Sequence, residues 1–140
     1  MSVDGLDDDE ISRILTGTRR IAVVGASNKP ERPSFGVARF LVARGHEVIP
    51  VNPGLAGQSL HGAVVVAQLA EAVPLEMVDI FRASDQVAPV VAEAIALGAK
   101  VIWMQLGVID AASADLARKA GLVVVMDRCP VIEAQRLGLA

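Results

Sequence analysis

Short runs of consecutive apolar residues alternate along this chain with segments whose apolar positions recur three and four apart. The runs are Ile21–Val24, His46–Val51, Leu75–Phe81, Lys100–Met104 and Leu122–Met126, and each reads as a β-strand. Between them lie helical segments with terminal signals. Ser34 is placed to cap a helix over Phe35–Arg44 that stops at Gly45, and Val37, Phe40 and Leu41 give it one apolar face. Ser84-Asp85 precedes a helix through Leu97 that Gly98 ends; Pro89 requires it to begin a residue or two later than the cap suggests. Asp110 caps Ala111–Ala120 before Gly121, and Pro130 opens a final helix ending near Leu137. Asn52-Pro53-Gly54 marks a turn, followed by a loop to Gly62 and a helical turn over Leu69–Pro74. Pro50 cannot donate to a strand ladder, so the second strand is expected at an edge or an exit. Residues 1–18 form an acidic leader whose ISRILTG segment makes a short amphipathic helix packed on the edge of a single domain over 19–140.

Strand and helix alternate throughout, the cadence of right-handed crossovers with helices on both sides of a parallel sheet. A five-stranded parallel sheet in a three-layer α/β domain is therefore expected. The apolar fraction is 53% against 21% charged. Three readings account for that: a sheet buried on both faces, a dimer surface, or a membrane location. The run Leu60–Ala70 is well short of the roughly 20 residues of a spanning helix and contains His61 and Gln68. The N-terminus MSVDGLDDDE is acidic where a secretory signal would be basic and then apolar, so a soluble cytoplasmic protein is expected. A net charge of −3 and 3% aromatic residues argue against a nucleic-acid surface. Cys129 is the only cysteine, which excludes an internal disulfide and a cysteine-based metal cluster.

Ligands of such sheets bind beyond the carboxyl ends of the strands. Those exits carry Lys29, Arg32, Arg82 and Arg128, a cationic rim on an acidic protein, as a ligand rich in phosphate requires. Gly25 closes the first strand and leads toward a helix start, where free N–H groups and the helix dipole favour an anion, and the N–H groups of Ala26 and Ser27 are candidate donors. The loop departs from the dinucleotide fingerprint G-x-G-x-x-G, because the next glycine after Gly25 is Gly36 and two prolines intervene. The second strand ends Pro50-Val51-Asn52-Pro53, with no acid for a ribose hydroxyl. NAD therefore fits poorly. NADP is less disfavoured, since Arg82 can meet a 2′-phosphate. There is no G-x-x-x-x-G-K-[ST], so an ATP phosphate loop is not supported.

The succession VVGAS-x-K-P-x-R-P-S, VIPVNP, VDIFR, WMQLGV and VVMDRCP resembles the stand-alone CoA-binding domain family. That family has a Rossmann-like fold and is related to the CoA-binding domain of succinyl-CoA synthetase alpha subunits. The resemblance runs from about Arg20 to Leu137. It implies coenzyme A as cofactor, with Gly25, Ala26, Ser27, Lys29, Arg32, Pro33 and Ser34 around its phosphates. Val51, Asn52 and Pro53 would border the adenosine, Phe81 and Arg82 would close the adenine or phosphate side, and Gln105, Leu106 and Gly107 would lie toward the pantetheine. No counterpart of the synthetase's catalytic histidine is found, and ligase activity is not carried over.

The expected function is thus binding of CoA or an acyl-CoA without catalytic residues, with a homodimer as one reading of the apolar excess. The alternatives are an NADP(H)-dependent oxidoreductase, for which no catalytic acid or base is visible, and a regulatory protein that senses the cofactor. Cys129 is read as structural, Trp103 as core, and His46 and His61 as too isolated for a metal. Asp79, inside an apolar strand, is expected to face a helix N-terminus or a rim cation; the alternative to a ligand role for Lys29, Arg32 and Arg82 is that of ordinary solvated cations, with Arg82 paired to Asp79 or Asp85.

Overall fold

A computed structural model of the chain describes residues 2–139, so the outermost residues of the expected ranges, Met1 and Ala140, lie outside the description. All five apolar runs become strands of one parallel sheet: β1 (Arg20–Val24) and β2 (Glu47–Val51), then, after a hairpin of β3 (Ser59–Leu60) and β4 (Ala63–Val64), β5 (Met77–Ile80), β6 (Val101–Met104) and β7 (Val123–Val125). Their order is β2-β1-β5-β6-β7. The chain starts in the interior, steps outward to β2, then returns across β1 to continue on the other side. The direction of winding therefore reverses between β1 and β5.

Alternation along the strands divides the core in two. Ala22, Val24, Val78, Ile80, Ile102 and Met104 point to one face, where α3 (Val87–Ala96) and α4 (Ala111–Lys119) cover them with Val87, Val91, Ala94, Ala114 and Ala117. Ile21, Val23, Met77, Trp103 and Val125 point to the other, covered by α1 (Asp8–Gly17), α2 (Pro33–Ala43) and α5 (Pro130–Arg136) through Ile11, Leu15, Val37, Leu41 and Ala134. Burial on both faces makes the strands continuously apolar and accounts for much of the apolar excess. Trp103 is fully buried, as expected, and its indole N–H donates to the Arg128 carbonyl at 2.8 Å.

Pro50 does lie in an edge strand, β2, with its carbonyl accepting the Val66 N–H at 2.9 Å. Three local expectations change. The loop before Gly62 holds the β3–β4 hairpin, too short for a periodic signal; His61, at φ 52°, turns it and meets the Phe35 carbonyl at 3.0 Å. The residue capping α2 is Arg32 rather than Ser34, because Pro33, lacking an N–H and fixed in φ, suits the first helical position. A 3₁₀ turn over Ser84–Gln86 precedes α3, and the Ser84 hydroxyl accepts the Ile109 N–H at 2.9 Å instead of capping the helix. Asp110 does hold the capping position of α4, but its carboxylate accepts from the Ser113 hydroxyl at 2.6 Å and caps no backbone N–H.

Candidate ligand-binding cleft

The turn after β1 is dictated by a close approach. Gly25 has φ 88°, and a Cβ there would lie 2.2 Å from the Phe81 carbonyl oxygen, so only glycine lets the exits of β1 and β5 come together. The Gly25 and Ala26 N–H groups both turn to the Val51 carbonyl, at 3.1 and 3.3 Å. This removes the Ala26 N–H as the expected phosphate donor, because the β1–β2 ladder already engages it. Asn52 is similarly occupied: its amide donates to the Ala26 carbonyl at 2.7 Å, and its side-chain oxygen accepts the Gly54 N–H at 2.8 Å. It holds the glycine loop in position. The Ser27 hydroxyl accepts the Lys29 N–H at 3.1 Å, which curls the loop toward α2.

Helix α2 starts with no side-chain cap and no acid in its first turn. Pro33 carries no N–H and the Phe35 N–H donates to the Arg32 carbonyl at 3.1 Å, so the Ser34 N–H is the first-turn donor left without an acceptor among the described residues, and the helix dipole places partial positive charge at the same end. Ser34, in that first turn, is buried. Lys29 and Arg32 precede that helix and Arg82 follows β5; all three are exposed, and among the described residues none has an ion-pair partner. Arg82 pairs with neither Asp79 nor Asp85, the alternative to a ligand role. All three cations border one cleft of about 980 Å³ at the carboxyl end of the sheet, by the reversal point.

The same cleft is bordered by Gly25, Ala26, Ser27, Pro33, Ser34, Asn52, Phe81, Gln105 and Leu106. Three expected site residues stand outside its lining. Val51 is buried in the ladder, Pro53 is exposed on the turn below, and the Gly107 N–H donates to the Asp127 carboxylate at 2.7 Å. Sequence reasoning did not assign Asn28, Gly36, Leu55, Val108 or the α5 pair Val131 and Ile132, which also line it. The signal for the last two was the Pro130 helix start directly after the fifth strand exit.

Arg128 leaves the expected rim. Its guanidinium donates to both Asp4 carboxylate oxygens (2.8 and 2.9 Å), to Glu133 at 2.5 Å and to the Leu6 carbonyl at 3.0 Å. Burial alone would raise the Asp4 carboxyl, but hydrogen bonds from Arg128 and the Leu6 and Met126 N–H groups hold it at about 2. Asp79 meets neither expected partner. It is fully buried between Val23 and Trp103 of the neighbouring strands, neither carboxylate oxygen has a hydrogen bond, and burial pushes it well above the usual carboxylate range. Among the described residues no group of three His, Cys, Asp or Glu side chains is placed to hold a metal, and no helix is long and apolar enough to cross a membrane.

A family model described as CoA binding domain matches residues 19–135. A curated relative from Bacillus subtilis (strain 168), bearing the name Uncharacterized protein YneT, is 36% identical over 121 residues, covering 86% of this chain and 88% of that protein. A solved structure of a hypothetical protein from Pyrococcus horikoshii OT3 superposes with a TM-score of 0.91 at 37% identity, covering 98% of this chain and 96% of that one. Cell-free ID.343 from Thermus thermophilus superposes with a TM-score of 0.89 at 34% identity, covering 94% and 99% respectively.

Proposed function

The chain belongs to the CoA binding domain family, and on that premise we propose that it binds coenzyme A or an acyl-CoA in the cleft at the β1 and β5 exits, without catalysis of its own. The observation that carries this reading is the set Lys29 and Arg32 at the uncapped start of α2 and Arg82 at the β5 exit, three cations that border one cleft and have no ion-pair partner among the described residues. Coenzyme A carries a pyrophosphate and a ribose 3′-phosphate, so it uses more cations than NAD does. In this reading Lys29, Arg32 and the Ser34 N–H in the first turn of α2 take the phosphates. Phe81 and Arg82 border the adenosine side, and Gln105 and Leu106 lie along the pantetheine. Asn52 contributes by holding the glycine loop.

A thermal-shift titration with CoA, 3′-dephospho-CoA, NAD and NADP tests it. CoA is expected to stabilise the protein most, with the dephospho form weaker by about tenfold in affinity, the loss of one charge-assisted contact. A larger response to NADP would transfer the site to the oxidoreductase alternative. Equal responses to CoA and NAD would remove the phosphate argument.

A further inference from the structure

We propose that Cys129 is a sulfur-capture site where the β7 exit borders this cleft, forming a mixed disulfide with the thiol of the bound cofactor. The proposal rests on the reading that the ligand is coenzyme A. Cys129 is a free, half-buried thiol that lines the cleft. As the only cysteine of the chain, it can form a disulfide only with another molecule.

Its backbone is held from several directions. The residue before it is fixed through the Trp103 indole bond and the Arg128–Asp4 pair, and its own carbonyl accepts the Glu133 N–H at 3.0 Å. The backbone that carries the thiol is thereby held in place beside the cleft.

An independent observation points to what occupies this end. Gln105, at the exit of the neighbouring strand β6, lines the same cleft; it is only 6% exposed and its carboxamide oxygen has no donor among the described residues. A sequestered acceptor without a donor costs free energy that a ligand N–H recovers. Leu106, Val131 and Ile132 add apolar surface to the lining of the same cleft. The cleft therefore runs from a cationic end on the β1 and β5 exits to an apolar end on the β6 and β7 exits, with one orphaned acceptor and one thiol. A ligand with phosphates at one end and an uncharged, amide-bearing arm ending in sulfur matches that sequence of environments.

The reaction is thiol–disulfide exchange, with the symmetrical disulfide of the cofactor as co-reactant. The Cys129 thiolate attacks one sulfur of that disulfide, forming the Cys129–cofactor S–S bond. The original S–S bond breaks, and the second cofactor half leaves as a thiolate that takes up the proton Cys129 gave up. No net electrons are consumed, and a free thiol reverses the step.

The test incubates the reduced protein with CoA disulfide and, separately, with glutathione disulfide and an uncharged dialkyl disulfide, and follows intact mass without reductant. One CoA moiety per chain is expected, released by dithiothreitol and absent in Cys129→Ser. The CoA disulfide should react at least about tenfold faster than either other disulfide, because binding in the cleft orients the sulfur. Arg32→Ala should slow the CoA reaction but not that of the dialkyl disulfide. Equal rates for all three disulfides, a disulfide-linked protein dimer, or no adduct would each overturn the proposal. Calorimetry of the reduced wild-type protein with reduced CoA separates the two failures. Binding without an adduct rejects sulfur capture alone, and absence of binding rejects the CoA reading as well.

Discussion

Gly25 and Asp79 show how much of this protein is decided by single atoms. At Gly25 the absence of a Cβ lets the Phe81 carbonyl approach, and the exits of β1 and β5 can then border one cleft. The glycine was legible in the sequence as the residue closing an apolar run, but the reason for it was not, because Phe81 lies far along the chain. Asp79 was conspicuous for the same local reason, a charge among Val78, Ile80 and Phe81. Its surroundings were not legible, since they are set by the register of β5 against β1 and β6. With its folded-state value raised above that of the unfolded chain, Asp79 binds its proton more tightly when folded. Its ionisation therefore withdraws stability as pH rises from about 4, the unfolded value, toward the folded one. Asp79→Asn removes that dependence. It is expected to raise Tm at pH 7 by about 3 °C or more, the shift of roughly 1 kcal/mol in a domain of this size. The gain should shrink as pH falls toward 4, and a gain independent of pH between 4 and 7 would show that Asp79 does not carry this proton.

At the scale of elements, strands and helices with strong local signals were readable, and those defined by distant partners were not. The apolar runs and the stops at Gly45, Gly98 and Gly121 placed β1, β2, β5, β6, β7 and the helices between them. The β3–β4 hairpin has two-residue strands, too few for a period of two to register. Arg128 was misassigned to the rim because its partner, Asp4, is 124 residues away in sequence. That pair joins the N-terminal segment to the end of β7, where the Met126 N–H also donates to Asp4 at 3.0 Å. A carboxyl held at about 2 contributes stability that is present above the unfolded value of about 4 and lost as pH falls from 4 to 2. By linkage the contribution is on the order of 2 kcal/mol. Asp4→Asn should therefore lower stability at pH 7 by at least about 2 kcal/mol in chemical denaturation, with wild type and variant converging near pH 2. A constant difference down to pH 2 would contradict the assignment.

Over the whole molecule, topology gathers residues that are scattered in sequence. Winding outward to β2 and back across β1 brings the β1 loop, the start of α2 and the β5 exit to one cleft, which is why reading the strand exits together located most of its lining. What that reading lacked was the competition for each group: Ala26 and Asn52 border the cleft with their polar groups already engaged, and Arg128 is turned inward to Asp4. Lys29, Arg32 and Arg82 are the cations that remain, and the central claim is that they hold coenzyme A through its phosphates, Lys29 and Arg32 beside α2 and Arg82 on the adenosine side, where the ribose 3′-phosphate lies. The measurement that bears on it most directly is calorimetric titration of CoA into wild type, the triple variant Lys29→Ala/Arg32→Ala/Arg82→Ala, and a control of equal charge change, Arg13→Ala/Lys100→Ala/Lys119→Ala, whose residues are exposed away from the cleft. The cleft variant should lose about a hundredfold or more in affinity, roughly 1 kcal/mol per contact, while the control stays within about twofold of wild type. Equal losses in the two variants, or none in either, would contradict the account.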